Sequence, residues 1–211
     1  MGVINQGILG SVSGRIGPVV GGSWKGIGYL RGYQATVAQP NTAAQVAQKT
    51  RMRVIVEIAK TFLAIVIKPL NDRFAVRMSG YNLFVSRNIE HIDASGNPTF
   101  ADFVFSEGTL TGFDTLAASS TNGSADVDFT WVDNSGTGTA QATDEVYIAC
   151  INETAGTNGQ VGGSAVRSDA AETVTMTGNN TTGDTIHTYS SYRSANGFSV
   201  SDSEYILEAT P

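Results

Sequence analysis

The chain has 211 residues, 41% of them hydrophobic and 15% charged, enough to bury a core, and its recurrent aromatic and β-branched residues exclude a disordered polymer. A single cysteine, Cys150, excludes an intramolecular disulfide framework. The net charge of −6 is unevenly spread: residues 1–93 hold 11 Lys and Arg against 4 Asp and Glu, whereas residues 94–211 hold 2 against 15.

Met1-Gly2-Val3-Ile4-Asn5-Gln6 has no basic start and no continuous apolar run, so it does not read as a signal peptide, and Gln6 stands where a myristoylation signal needs Ser or Thr. Residues 1–33 are rich in glycine, with Ile4, Ile8, Leu9, Val12, Ile16, Val19, Val20, Trp24, Ile27, Tyr29 and Leu30 between the glycines. Such spacing argues against a helix and for an extended arm or short hairpins, with a turn at Arg15-Ile16-Gly17-Pro18. An arm this apolar must be covered, either by its own chain or by another subunit. Ile8, Leu9, Ile16, Val19, Val20, Trp24 and Tyr29 are therefore the candidate assembly residues.

Asn41-Thr42 supplies a helix N-cap after Pro40, and Ile55, Ile58, Phe62, Ile65 and Val66 follow helical spacing up to a stop at Pro69. Asn71 or Asp72 is expected to cap a second helix carrying Phe74 and Met78, and Tyr81 to Ile89 forms a third helical piece. The most apolar stretch, Val54 to Ile67, contains Glu57 and Lys60 and is too short to span a bilayer, so no membrane association is expected. Lys49, Arg51, Arg53, Lys60, Lys68, Arg73, Arg77 and Arg87 make the helices basic, which allows nucleic acid as a partner, although no aromatics are interleaved with them.

From about Phe100 the period changes to two: Phe103 and Phe105, then Val127, Phe129 and Trp131, then Val146, Ile148 and Cys150. Val174 and Met176, then Ile186, Thr188 and Ser190, then Val200 leading to Tyr205 and Leu207 continue it. Asn-Gly and Asp-Asn clusters at Asn122-Gly123, Asp133-Asn134, Asn158-Gly159, Asn179-Asn180 and Asn196-Gly197 separate these runs as turns. About seven short strands in this rhythm mean a sandwich. The expected fold is α+β: a Gly-rich arm and helical hairpin over residues 1–93, a linker at Ser95-Gly96-Asn97-Pro98, and an immunoglobulin-like antiparallel β-sandwich over residues 94–211.

No catalytic, cofactor or metal residues are expected. His91 suits a helix C-terminus, and His187 lies in a strand. Zinc spacings, a phosphate-cradling loop and a nucleophile elbow are all missing. Asp126 with Asp128, Asp144 with Glu145, and Asp202 with Glu204 read as solvated strand faces, and Asp133-Asn134-Ser135 is an incomplete calcium loop.

Three stretches stand out together: Gly14-Arg15-Ile16-Gly17-Pro18-Val19-Val20-Gly21 with Trp24-Lys25-Gly26 and Leu30-Arg31; Pro40-Asn41-Thr42, Gln45 and the run Gly80 to Asn88; and Phe129 to Gly136 with Asp144 and Tyr147. In these stretches the chain resembles an uncharacterised family of Bacteroidetes and their phages. The resemblance implies no catalytic residues, and it suggests a virion component assembled in a bacterial cytoplasm or a component of a secretion apparatus. The expected function is a non-enzymatic structural subunit of a phage tail, tube or capsid that self-assembles through its N-terminal half, with other virion proteins as partners. The alternative is a sandwich whose Asn-, Thr- and Ser-rich loops, with Tyr189 and Tyr192, bind a surface glycan.

Overall fold

The computed structural model describes residues 3–4, 12–36 and 41–210, and the chain divides into two compact units, Met1–Thr42 and Ala43–Pro211. In the first unit β1 (Val3–Ile4), β2 (Val12–Ile16), β3 (Val19–Trp24) and β4 (Ile27–Gly32) form one antiparallel sheet in chain order. The β3–β4 turn has positive φ at both Lys25 (49°) and Gly26 (85°), the backbone that matches the right-handed twist of a two-residue hairpin. The β2–β3 turn is Gly17-Pro18, with φ of 57° at Gly17. Short hairpins, one of the two forms the glycine spacing allowed, are thus what residues 12–32 adopt.

The second unit opens with α1 (Ala43–Phe62), which passes through a π-helical turn, Leu63–Ile67, directly into α2 (Lys68–Asn71). Pro69 therefore does not stop the helix as expected. A proline inside a helix lacks the N–H that would bond to the carbonyl four residues back, and its ring crowds that carbonyl. Here that carbonyl belongs to Ile65, inside the widened turn, and a Cβ on Gly162 would stand only 2.8 Å from its oxygen. The irregular turn accommodates the proline, and a glycine across from it makes room for the carbonyl.

The second predicted helix, with Phe74 and Met78, does not form: residues 72–79 are turns and bends that lead to α3 (Gly80–Asn88). Ser79 caps α3 by accepting from the Asn82 N–H at 3.3 Å, and Asp72 Oδ1 accepts from the Gly80 N–H at 2.8 Å. The expected strand at Phe103 and Phe105 is also absent, because helix side chains satisfy that backbone instead. Asn88 Oδ1 accepts from the Val104 N–H at 2.7 Å while its Nδ2 donates to the Val104 carbonyl at 2.9 Å. Asn71 Nδ2 donates to the Phe105 carbonyl at 2.8 Å. Both asparagines are buried, so each bond replaces a ladder contact with no orphaned polar group.

Seven further strands follow. β5 (Asp114–Ser120), β6 (Asp126–Val132) and β9 (Ala171–Thr175) form one sheet. β7 (Glu145–Asn152), β8 (Thr157–Val166), β10 (Thr185–Arg193) and β11 (Glu204–Ala209) form another, in the order β11-β10-β7-β8. The two sheets enclose Val127, Phe129, Trp131, Val146, Ile148, Cys150, Val174, Ile186 and Tyr192. This is a β-sandwich.

The other face of β7 and β10 is buried as well. Tyr147, Ala149 and Tyr189 pack with Ile55, Phe62, Leu70 and Phe84 of the helices and with Phe105. Three layers result: helices, the four-stranded sheet, and the three-stranded sheet. The chain therefore does not divide near residue 93, as the composition suggested. The helices need the sheet to cover their apolar faces, and the Ser95–Pro98 stretch is a closed turn, in which Asp93 Oδ1 accepts from the N–H groups of Ser95 and Asn97 at 2.8 Å each.

Candidate functional site

The N-terminal sheet separates its side chains into two faces. Cross-strand partners share a face, and the register pairs Ile16 with Val19 and Gly21 with Leu30. Ile16, Val19 and Leu30 thus form one apolar face. Arg15 pairs with Val20, Val20 with Arg31, Gly22 with Tyr29, and Trp24 with Ile27, which together make the opposite face. The candidate residues Ile16 and Val19 lie on the first face and Val20, Trp24 and Tyr29 on the second, so they are not one patch. Ile8 and Leu9 lie outside the described residues. Exposure is high on both sides: Leu30 is 63% accessible, Trp24 69% and Ile27 70%.

The second face has a definite construction. The Tyr29 ring lies over Gly22, where a Cβ would come within 2.9 Å of it. The Arg15 guanidinium sits 3.4 Å from the centre of the Tyr33 ring, and Lys25 Nζ is 5.8 Å from the centre of the Trp24 ring. Residues 12–33 contain no Asp, Glu, Asn or Gln. The sequence reading placed the basic residues on the helices and missed this pattern. Its signal was the alternation of Trp24, Ile27, Tyr29 and Arg31 around a two-residue turn.

The helix cations are less available than their number suggests. Arg87 forms an ion pair with Glu107 at 3.0 Å, and the Arg73 guanidinium lies 3.6 Å from the centre of the Phe198 ring. Lys49, Arg53 and Lys60 share an open groove of about 350 Å³ on α1 with Met52, Val56 and Glu57.

A second groove, of about 320 Å³, is lined by Ile58, Phe62, Pro98, Phe100 and Ile151, with Glu57 and Glu153 also on its wall. His187 stacks on Phe100 with ring centres 4.4 Å apart. Its Nδ1 lies 2.8 Å from the Tyr205 hydroxyl and its Nε2 3.1 Å from Glu153 Oε2. Both imidazole nitrogens are thus engaged, and the cluster ties β10 to β11, to Phe100 and to Glu153.

The most thoroughly satisfied buried charge is Arg167, fully buried, which the sequence reading did not single out. It forms an ion pair with Asp144 at 3.2 Å, donates to the carbonyls of Thr111 (2.7 Å) and Gly112 (3.0 Å) and to Asn134 Oδ1, and lies 3.7 Å from the centre of the Tyr192 ring. Trp131 Nε1 donates to the Arg167 carbonyl at 2.8 Å. Asp144 is thus buried rather than solvated as expected, and Asn134 serves a guanidinium rather than a calcium ion. The only other cation after residue 93, Arg193, pairs with Glu145 at 3.0 Å. Asp126 and Asp128 do lie on an exposed face, accepting from Thr175 (2.8 Å) and Thr173 (2.6 Å).

Burial pushes the Cys150 thiol and the Tyr189 and Tyr192 hydroxyls up, each disfavouring the charged form. Among the described residues no three His, Cys, Asp or Glu side chains are grouped as metal ligands, and no helix is long and apolar enough to cross a membrane.

A family of unknown function, DUF6266, matches residues 11–207. The chain belongs to that family. The match runs from just before β2 into β11, so it takes in most of both compact units. A comparison with curated proteins gives no match. The fibronectin type III domain of the human collagen alpha-1(XX) chain is similar at 11% identity and a TM-score of 0.35, over 48% of this chain and 88% of that chain.

Proposed function

We propose that the chain is a non-enzymatic structural subunit that assembles with further copies of itself through the N-terminal sheet, in the setting of a phage virion or phage-like particle. One observation carries the reading: among the described residues, Ile16, Val19 and Leu30 form an apolar sheet face left open to solvent. A small sheet with an open apolar face gains stability when that face is covered.

Charge supports a second copy as the cover. Residues 1–42 hold Arg15, Lys25 and Arg31 and no carboxylate, while residues 94–211 keep an excess of acid because Arg167 and Arg193 are both paired internally. Oppositely charged parts of neighbouring copies attract, and the attraction weakens with salt. Among the described residues β4 is also an edge strand of its sheet, where a strand of another chain can add. The sandwich, which we read as immunoglobulin-like, is then the outward part of the subunit, and the phage setting rests on the sequence resemblance.

Light-scattering mass of the full chain, of a chain lacking residues 1–42, and of Leu30→Asp tests this. The full chain is expected to form oligomers that both changes abolish. A monomeric full chain across concentration and salt, or unchanged oligomers after deletion, would overturn it.

A further inference from the structure

We propose that the opposite face of the N-terminal sheet, carrying Arg15, Trp24, Ile27, Tyr29, Arg31 and Tyr33, is a docking surface for single-stranded nucleic acid. It is a different face from the one assigned to self-assembly, and its chemistry differs. Single strands are held by cations that follow the backbone and by aromatic rings on which unpaired bases stack.

The face provides both. Three cations, Arg15, Lys25 and Arg31, stand on it or at its turn, with no carboxylate anywhere in residues 1–42 to oppose them. Three rings accompany them. Tyr29 lies against Gly22, and about half of it, 49%, remains exposed. Trp24 stands at the hairpin tip with Lys25 5.8 Å from its ring centre. Tyr33 carries the Arg15 guanidinium, itself a planar surface for a base, at 3.4 Å.

Charge and polarity select this occupant over others. A neutral sugar needs carboxylate and carboxamide partners for its hydroxyls, and residues 12–33 have none. Duplex nucleic acid offers phosphates but no free ring faces. The chain's net charge of −6 opposes any polyanion, so phosphate attraction alone is insufficient and stacking has to contribute.

Fluorescence anisotropy of the full chain with labelled oligothymidylate tests the proposal, alongside a duplex of equal length and vesicles containing phosphatidylglycerol. The oligothymidylate is expected to bind in preference to the duplex, with a slope of log affinity against log salt of about −2, as three cations on a single strand give. Trp24→Ala and Tyr29→Ala should each weaken binding roughly tenfold, and Trp24→Phe should restore most of it, which separates stacking from misfolding. Triple replacement of Arg15, Lys25 and Arg31 by Gln should flatten the slope. Leu30→Asp, on the other face, should leave binding intact even where it breaks self-assembly, so the two proposals fail separately. No oligothymidylate binding, equal binding of the duplex, indifference to Trp24→Ala and Tyr29→Ala, or binding to vesicles alone would each overturn it; the last would make an anionic lipid surface the occupant.

Discussion

The N-terminal sheet and the four-stranded sheet at the centre of the second unit are both antiparallel, and they distribute apolar residues in opposite ways. On β7, Val146, Ile148 and Cys150 face one core and Tyr147 and Ala149 the other, so nearly every residue of the strand is buried. On β3 and β4, alternate residues also point to two faces, yet Trp24, Ile27 and Leu30 remain open. Both stretches look apolar as sequence. What distinguishes them is glycine: β3 and β4 hold Gly21, Gly22, Gly28 and Gly32, which bring backbones close but add no side chain to a core, whereas β7 has no glycine. One sheet is filled by its own chain, and the other presents surface.

The largest expected effect comes from removing the layer that covers the central sheet. A chain of residues 94–211 leaves Tyr147, Ala149 and Tyr189 without their helical partners, and it should aggregate or remain partly unfolded by circular dichroism. Residues 43–211 should instead unfold in one cooperative transition. Next is the buried cation. Arg167→Ala leaves Asp144 buried and unpaired, and chemical denaturation should show a loss of about 3–5 kcal/mol. Gly162→Ala should cost less, about 1–3 kcal/mol in the same assay, because its Cβ would lie between the Ile65 carbonyl and the Tyr147 ring, each 2.8 Å away. At the far end of the comparison, Trp24→Ala should shift stability by no more than about 0.5 kcal/mol, since its side chain is mostly in water.

Acidity sharpens the picture within the second unit. The Asn152 side-chain amide, at 2.9 Å, and the Thr181 N–H, at 2.8 Å, hold the Asp184 carboxyl below its ordinary 3.8. Its contribution is complete above that value and is lost as pH falls through the lower folded value. Burial raises the Glu204 carboxyl above 4.5, despite its bond from the Phe113 N–H at 2.6 Å, so that its penalty is present at neutral pH and relieved by acid. Denaturation between pH 2.5 and 7 should therefore show a shallower acid loss for Asp184→Asn and a steeper one for Glu204→Gln.

Much of the second unit was legible because period and turn chemistry agree there. β6 alternates strictly, with Val127, Phe129 and Trp131 inward and Asp126 and Asp128 outward, and Gly123, Gly136 and Gly197 adopt the positive φ that the Asn- and Ser-rich clusters imply. The failures have physical causes. Phe103 and Phe105 alternate without forming a strand because Asn88 and Asn71, distant in sequence, take the backbone hydrogen bonds of Val104 and the Phe105 carbonyl. Pro69 looked like a stop because no local pattern reveals that a π turn and Gly162 accommodate it. Arg167 was invisible as a buried group, since its partners come from the segment before β5 and from both ends of the β6–β7 connection, all distant from it in sequence. In the candidate surface the residue types were readable, but their division between faces needed the register of two hairpins.

Cys150, the only thiol in the chain, lies on β7 in the layer that both cores share. A reagent in solution meets it only after that layer opens, so the rate of its labelling is a clock for opening of the whole unit and needs no engineered probe. In an assembly of many copies, every folded subunit would remain silent to the reagent, and each labelled one would mark a copy that had come apart. Oxidation of this thiol would follow the same rule: it would accumulate on failed subunits and spare intact ones.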